Sequence, residues 1–154
     1  MKLSFVLNGK AVVREILPDD SLLTVLRAAG CSSVRGGCDT SNCGICTVWV
    51  DDLPILSCSY PAARAEGKRV TTLEGVRAEA EEIMTLMAEE GADQCGFCSP
   101  GFIMTVLAML RELDDPDEAE IEHYLAGNLC RCTGYASQHR MLKKLYEKRR
   151  SANG

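Results

Sequence analysis

Eight of the nine cysteines in this 154-residue chain fall into two sets of four, and their spacing restricts the fold more than any other feature. The first set is Cys38, Cys43, Cys46 and Cys58, spaced C-x4-C-x2-C with a fourth thiol 12 residues on. That is the plant-type [2Fe-2S] spacing. A small rhombic cluster needs four thiolates close together, so one looping segment must supply three. Gly36, Gly37 and Gly44 let the backbone curl with its N–H groups turned toward sulfur. Structural zinc prefers two close cysteine pairs, and only one is present here.

The second set is Cys95, Cys98, Cys130 and Cys132: C-x2-C, 31 intervening residues, then C-x-C. Taken alone, the C-x2-C is ambiguous between a redox dithiol, half a zinc site and half an iron–sulfur site. Cys130 and Cys132 are too close for a usual zinc knuckle, yet alternate side chains of an extended segment point the same way. Each pair also precedes a predicted helix, over 101–113 and about 137–149, with Ser99 expected as N-cap and Pro100 at the first helical position. Two helix N-termini facing one anionic centre would favour extra negative charge. Structural zinc remains the alternative for this set. Cys31, the ninth cysteine, is read as a buried spectator.

Nine cysteines suit metal binding in a compartment that disfavours disulfides. Met1 to Asn8 reaches polar residues at once, and no apolar run approaches the roughly 18 residues of a membrane span. A cytoplasmic chain without a membrane span is expected. The formal net charge is −5 but uneven. Residues 76–138 carry 3 basic and 13 acidic side chains, and residues 139–154 carry 6 basic and 1 acidic. The first imbalance argues against nucleic acid as a partner, which needs a basic face. The basic tail, with Lys143, Lys144, Lys148, Arg149 and Arg150, reads as a solvated helix face.

Residues 2–17 predict a hairpin, with Leu3, Phe5 and Leu7 on one face and Asn8-Gly9 as a type I′ turn. Asp19 or Asp20 is expected to cap a helix over about 21–29, with Leu22, Leu23, Val25 and Leu26 inward and Gly30 as its stop. Strands follow over 47–50, 53–57 and 69–73, with a brief helix within 59–65. A sheet wrapped on one helix and closed by a cysteine loop is a ferredoxin-like β-grasp pattern. Beyond residue 76 the β signal stops. Helices are predicted over 77–90, 101–113, 117–126 and 137–149, the second apolar nearly all round and so central to a bundle. The expected class is α+β: a β-grasp [2Fe-2S] ferredoxin-like domain over 1–76, then a four-helix-bundle [2Fe-2S]-binding domain over 77–154. His123 and His139 are read as exposed. Trp49 and Tyr60 are read as core in preference to a subunit interface, and Met84, Met87, Met104 and Met109 as packing residues.

Four segments in order carry a specific resemblance over residues 2 to about 145: Gly37-Cys38-Asp39-Thr40-Ser41-Asn42-Cys43-Gly44-Ile45-Cys46-Thr47-Val48; Ser57-Cys58; Gln94-Cys95-Gly96-Phe97-Cys98-Ser99-Pro100-Gly101; and Gly127-Asn128-Leu129-Cys130-Arg131-Cys132-Thr133-Gly134-Tyr135. The chain resembles the small iron–sulfur subunit of the xanthine dehydrogenase family of molybdenum hydroxylases. The resemblance implies an electron-transfer chain in a heterotrimer, assembled as a dimer of heterotrimers. A large subunit would hold molybdopterin cytosine dinucleotide and perform the hydroxylation, and a medium subunit would hold FAD. The Cys95/Cys98/Cys130/Cys132 cluster would lie beside the pterin, and the Cys38/Cys43/Cys46/Cys58 cluster toward the flavin. Gln94 matches the family glutamine that hydrogen-bonds the pterin. Overall resemblance leans to xanthine, another purine or another N-heterocycle as substrate. Ile45, Ser99 and the run Ala136-Ser137-Gln138-His139-Arg140 depart from the common family pattern. Two other readings are a free-standing two-cluster ferredoxin and a zinc-stabilised interaction module.

Overall fold

Residues 2–7 alternate in burial because a strand sends successive side chains to opposite faces. β1 (Lys2–Leu7) buries Leu3, Phe5 and Leu7 and pairs antiparallel with β2 (Lys10–Glu15). Asn8 and Gly9 turn between them at φ 49 and 80, the two positive values a type I′ turn requires. The computed structural model describes residues 1–153, with side chains as far as Ser151. The end of the expected helical domain, Gly154, lies outside the described residues.

α1 (Leu22–Ala28) is capped by Ser21, whose hydroxyl accepts the Thr24 N–H at 3.2 Å. This corrects the expected Asp19 or Asp20 cap. Asp20 instead accepts the Leu17 N–H at 2.7 Å, one turn too early to serve the helix. Leu22, Val25 and Leu26 are buried, whereas Leu23 is only half-buried. β3 (Thr47–Val50), β4 (Leu53–Leu56) and β5 (Arg69–Thr71) complete a sheet of order β2-β1-β5-β3-β4. β5 runs parallel to β1 and antiparallel to β3. α1 packs on this sheet in a core that includes Leu3, Phe5, Val48, Val50, Val70 and Cys31.

The second core surrounds α3 (Ser99–Glu112), in which every residue from Pro100 to Met109 is buried. α2 (Arg77–Glu89) contributes Ala80, Ile83, Leu86 and Met87. α5 (Ala136–Asn153) contributes Met141, Leu142, Leu145 and Tyr146. Each fully buried Leu or Ile is worth on the order of 1.5–3 kcal/mol. α4 (Glu118–Leu125) is held by a capping box between Asp117 and Glu120. Among the described residues, no helix is long and apolar enough to cross a membrane.

The basic tail is not simply solvated. Along α5, Arg140 and Lys144 both pair with Glu90, Lys148 pairs with Glu82, and Arg150 pairs with Asp115. The positive and negative blocks of the sequence therefore partly neutralise each other across the bundle. The Lys148–Glu82 and Arg150–Asp115 pairs are open to solvent and individually weak, whereas Glu90 is largely shielded between its two partners.

The two cores meet along β3 and α3. Trp49 is buried in the helical core and donates its Nε1–H to the Met104 carbonyl at 3.0 Å. The Arg111 guanidinium lies 3.6 Å from the centre of its ring and donates to the Asp52 carbonyl at 3.0 Å. At the other end, Gly101 sits under the first cysteine loop. A Cβ there would stand 2.4 Å from the Gly44 carbonyl oxygen and 2.6 Å from that of Ile45.

Candidate iron–sulfur centres

The first four thiols converge because the loop before β3 folds back on itself. Ser41 and Gly44 take positive φ, 55 and 70, and turn successive N–H groups inward. The N–H of Asn42 foremost, then the Cys43 side chain and the N–H of Thr40, lower the Cys38 thiol to about 6. Burial raises the Cys43 thiol, against hydrogen bonds from the Ile45 and Gly37 N–H groups. Burial likewise pushes Cys46 up to about 11, although the Cys58 N–H donates to it. Cys58 reaches this loop from the turn after β4, where Ser57 donates to the Cys46 carbonyl at 2.7 Å. Its sulfur lies 3.5 Å from the Ser41 hydroxyl. Cys38 thus contacts Cys43, and Cys46 contacts Cys58.

The second set closes across the bundle. Cys95 Sγ and Cys132 Sγ are 3.5 Å apart. Cys98 neighbours Cys130, and its thiol pKa is pushed up to about 12, first by burial and then by that neighbour. The Phe97 N–H leads in lowering Cys95, and the Cys95 side chain leads in raising Cys132. Burial opposes ionisation of Cys130, but the Thr133 hydroxyl and the N–H groups of Thr133 and Cys132 outweigh it. The N-cap of α3 is Cys98, not Ser99 as expected; the Ser99 hydroxyl is buried without a partner. The chain turns into the helix one residue early, which places a proposed ligand at the helix terminus.

The donor chemistry fits two iron–sulfur clusters. Each set offers four sulfurs and several inward N–H groups, which suit soft, anionic sulfur ligands. Neither set holds a histidine or a carboxylate among these contacts. Cys31 lies apart, 5% exposed in the β-grasp core, and burial pushes its thiol up, as expected of an unreactive spectator.

The two sets are neighbours. Leu129, next to Cys130, donates its N–H to the carbonyl of Cys43 at 2.9 Å. Asn128 donates to Thr105 at 3.1 Å and reaches toward the Gly44 carbonyl at 3.5 Å. Arg35 donates to the carbonyls of Gly96 and Phe97 at 2.7 and 3.1 Å and lies over the Phe97 ring. A cleft of about 390 Å³ runs between the sets, lined by Cys38, Cys43, Cys95, Cys98, Cys130 and Cys132 among others. Phe97, Leu129 and Tyr135 stand exposed around it. Gln94 is exposed beside Cys95.

Leu129, Asn128 and Arg35 had no signal in the sequence beyond their places near cysteines. Gly101 had one: a glycine inside a strongly apolar helix is a mark of close backbone approach. Of the two histidines, His123 is exposed as expected. His139 is half-buried instead, with Nδ1 3.5 Å from Glu122, because α5 turns that face toward α4.

Comparison with known proteins places this geometry. Residues 5–73 match a family described as a 2Fe-2S iron-sulfur cluster binding domain, and residues 72–143 match a [2Fe-2S] binding domain. The chain is 46% identical to the xanthine dehydrogenase iron-sulfur-binding subunit of Escherichia coli O157:H7, over 84% of each chain. It is 39% identical to the nicotinate dehydrogenase small FeS subunit of Eubacterium barkeri, over 92% of each. Among solved structures, quinoline 2-oxidoreductase from Pseudomonas putida 86 superposes with a TM-score of 0.85 at 34% identity, covering 92% of this chain and 89% of that one. The aldehyde oxidoreductase of Desulfovibrio desulfuricans gives 0.89 at 34% identity, covering 97% of this chain but 17% of that longer one. The chain binds two [2Fe-2S] clusters and belongs to the family of small iron–sulfur subunits of the molybdenum hydroxylases.

Proposed function

We propose that Cys38, Cys43, Cys46 and Cys58 hold one cluster and Cys95, Cys98, Cys130 and Cys132 the other, and that the chain relays electrons through them in that family's manner. The observation that carries the reading is the direct link between the sets. The Leu129 N–H to Cys43 carbonyl bond joins a residue bonded to one proposed ligand with the backbone of another. Each cluster, when bound, accepts and gives up one electron at a time. The chain's own residues hold the sulfurs, stabilise their charge with N–H groups, and fix the two loops at a constant separation through Gly101, Asn128 and Arg35. In this reading the chain divides near residue 76 into a ferredoxin domain and a helical domain.

The exposed rim of Gln94, Phe97, Leu129 and Tyr135 marks the face that meets the large subunit and its molybdopterin cytosine dinucleotide. Gln94 is suited to the pterin because a side-chain amide donates and accepts at once. The exposed Cys38 loop faces the medium subunit and its FAD. A cytoplasmic dimer of heterotrimers acting on xanthine, another purine or another N-heterocycle completes the proposal; the relatives named for xanthine, nicotinate and quinoline support the substrate class.

Metal analysis tests the ligand sets: about four iron atoms and four acid-labile sulfides per chain are expected, with two EPR signals on reduction. A colourless, zinc-loaded chain would refute them. Gel filtration tests the assembly, since a lone monomer without co-eluting molybdenum would identify a free-standing ferredoxin. For Gln94→Ala, both EPR signals are expected to persist while electron delivery from the molybdenum subunit slows. Loss of the helical-domain signal in that variant would show that Gln94 serves the cluster and not the pterin.

A further inference from the structure

Thr133 follows the last cysteine of the second set, and its side chain turns back into the site. Its hydroxyl donates to Cys130 Sγ at 3.2 Å. Tyr135 reaches both partners of that bond, the hydroxyl of Thr133 and the backbone of Cys130. Its backbone N–H donates to Thr133 Oγ1 at 3.2 Å, and its phenolic oxygen accepts the Cys130 N–H at 3.0 Å. With an oxygen lone pair already engaged by an N–H, the hydroxyl proton is left to point at sulfur. Tyr135 makes both contacts at φ 69, a left-handed conformation that an aromatic residue rarely takes. A strained residue at a proposed centre, held by two hydrogen bonds to the same loop, points to a positioning role.

We propose that the Thr133 hydroxyl raises the reduction potential of the helical-domain centre through its bond to Cys130 sulfur, with Tyr135 as the residue that aims it. The inference rests on the reading of Cys130 as a ligand. Ligand sulfur becomes more negative when the centre takes up an electron. A hydrogen bond to a more negative acceptor is stronger, so the bond favours the state with the added electron. Hydrogen bonds to sulfur are among the factors that set the potentials of such centres. The N–H groups around the same sulfur act likewise, so removing the hydroxyl shifts the potential without abolishing the centre. The sense of the effect suits a centre that receives electrons from a neighbouring pterin.

The test is an EPR-monitored redox titration of the intact complex, comparing wild type with Thr133→Val, Thr133→Ala and Thr133→Ser. The helical-domain signal is identified as the one that survives Cys43→Ser. Thr133→Val and Thr133→Ala are expected to move its midpoint to more negative potential. Thr133→Ser, which keeps the hydroxyl, is expected to titrate with wild type, and the other signal is expected to stay in place. The proposal is overturned by an unmoved midpoint in Val and Ala, by Ser moving as far as they do, or by both signals moving together. It is also overturned if Val and Ala load no cluster where Ser does, since the hydroxyl would then serve assembly. A wild-type complex with no second signal would overturn the ligand reading itself, and this inference with it.

Discussion

Cys43→Ser is expected to abolish electron delivery to the flavin side while leaving the helical-domain EPR signal in place. The proposed ligand is buried, and serine offers a hard, poorly ionised hydroxyl where a soft thiolate is wanted. Losing an outer partner of a metal ligand costs roughly 10–100-fold in affinity or activity, and losing the ligand should cost more. The second set does not need that side chain. Its tie to Cys43 is made by the backbone carbonyl, which serine retains. Iron content should fall toward about two atoms per chain as one of two [2Fe-2S] clusters is lost. Loss of both signals would mean that the loops cannot be separated as proposed.

Gly101→Ala is expected to destabilise the junction between the two cores. Alanine normally favours a helix over glycine by about 1 kcal/mol. Here the new methyl would meet two backbone carbonyl oxygens at 2.4 and 2.6 Å, and neither can rotate away as a side chain would. Overpacking of this kind costs about 1–3 kcal/mol, so the clash outweighs the helix preference. With the helix gain subtracted the net loss is about 1–2 kcal/mol, so calorimetry should show a melting temperature lower by roughly 2–8 °C. Trp49, the single tryptophan, is 2% exposed at the same junction. Its emission in the cluster-free chain should shift to the red if the domains part. An unchanged melting temperature would show that the cysteine loop yields readily, and that the docking is looser than this contact indicates.

The two positions also show why some contacts were legible in the sequence and others were not. Cys43 belongs to a run of thiols whose spacing is itself a chemical statement. Gly101 belongs to an ordinary apolar helix, and its partners Gly44 and Ile45 lie more than fifty residues earlier. Period-two alternation placed Leu3, Phe5 and Leu7 in the core, and the all-round apolar run placed α3 at the centre of the bundle. Caps were less legible. Asp20 and Ser99 are both good capping residues, yet Ser21 and Cys98 take the N-cap positions. A cap is fixed by where the chain enters the helix, and here the packing of the flanking loops decides that. The charge blocks were visible as composition, but their pairing across α2 and α5 was not.

The sequence by itself determined the inventory: eight thiols in two sets, the alternation of one sheet, the periodicity of four later helices, and a glutamine beside a C-x2-C. These are properties of neighbours along the chain, set by covalent spacing and local backbone geometry. Only the tertiary structure decided that Cys95 meets Cys132 and Cys98 meets Cys130, that Leu129 ties one loop to the other, and that the Thr133 hydroxyl points at sulfur. The physical reason is that each of these depends on loops held in conformations their own residues do not prefer, such as the positive φ of Ser41 and Tyr135. Such conformations persist only because contacts from distant segments hold them in place.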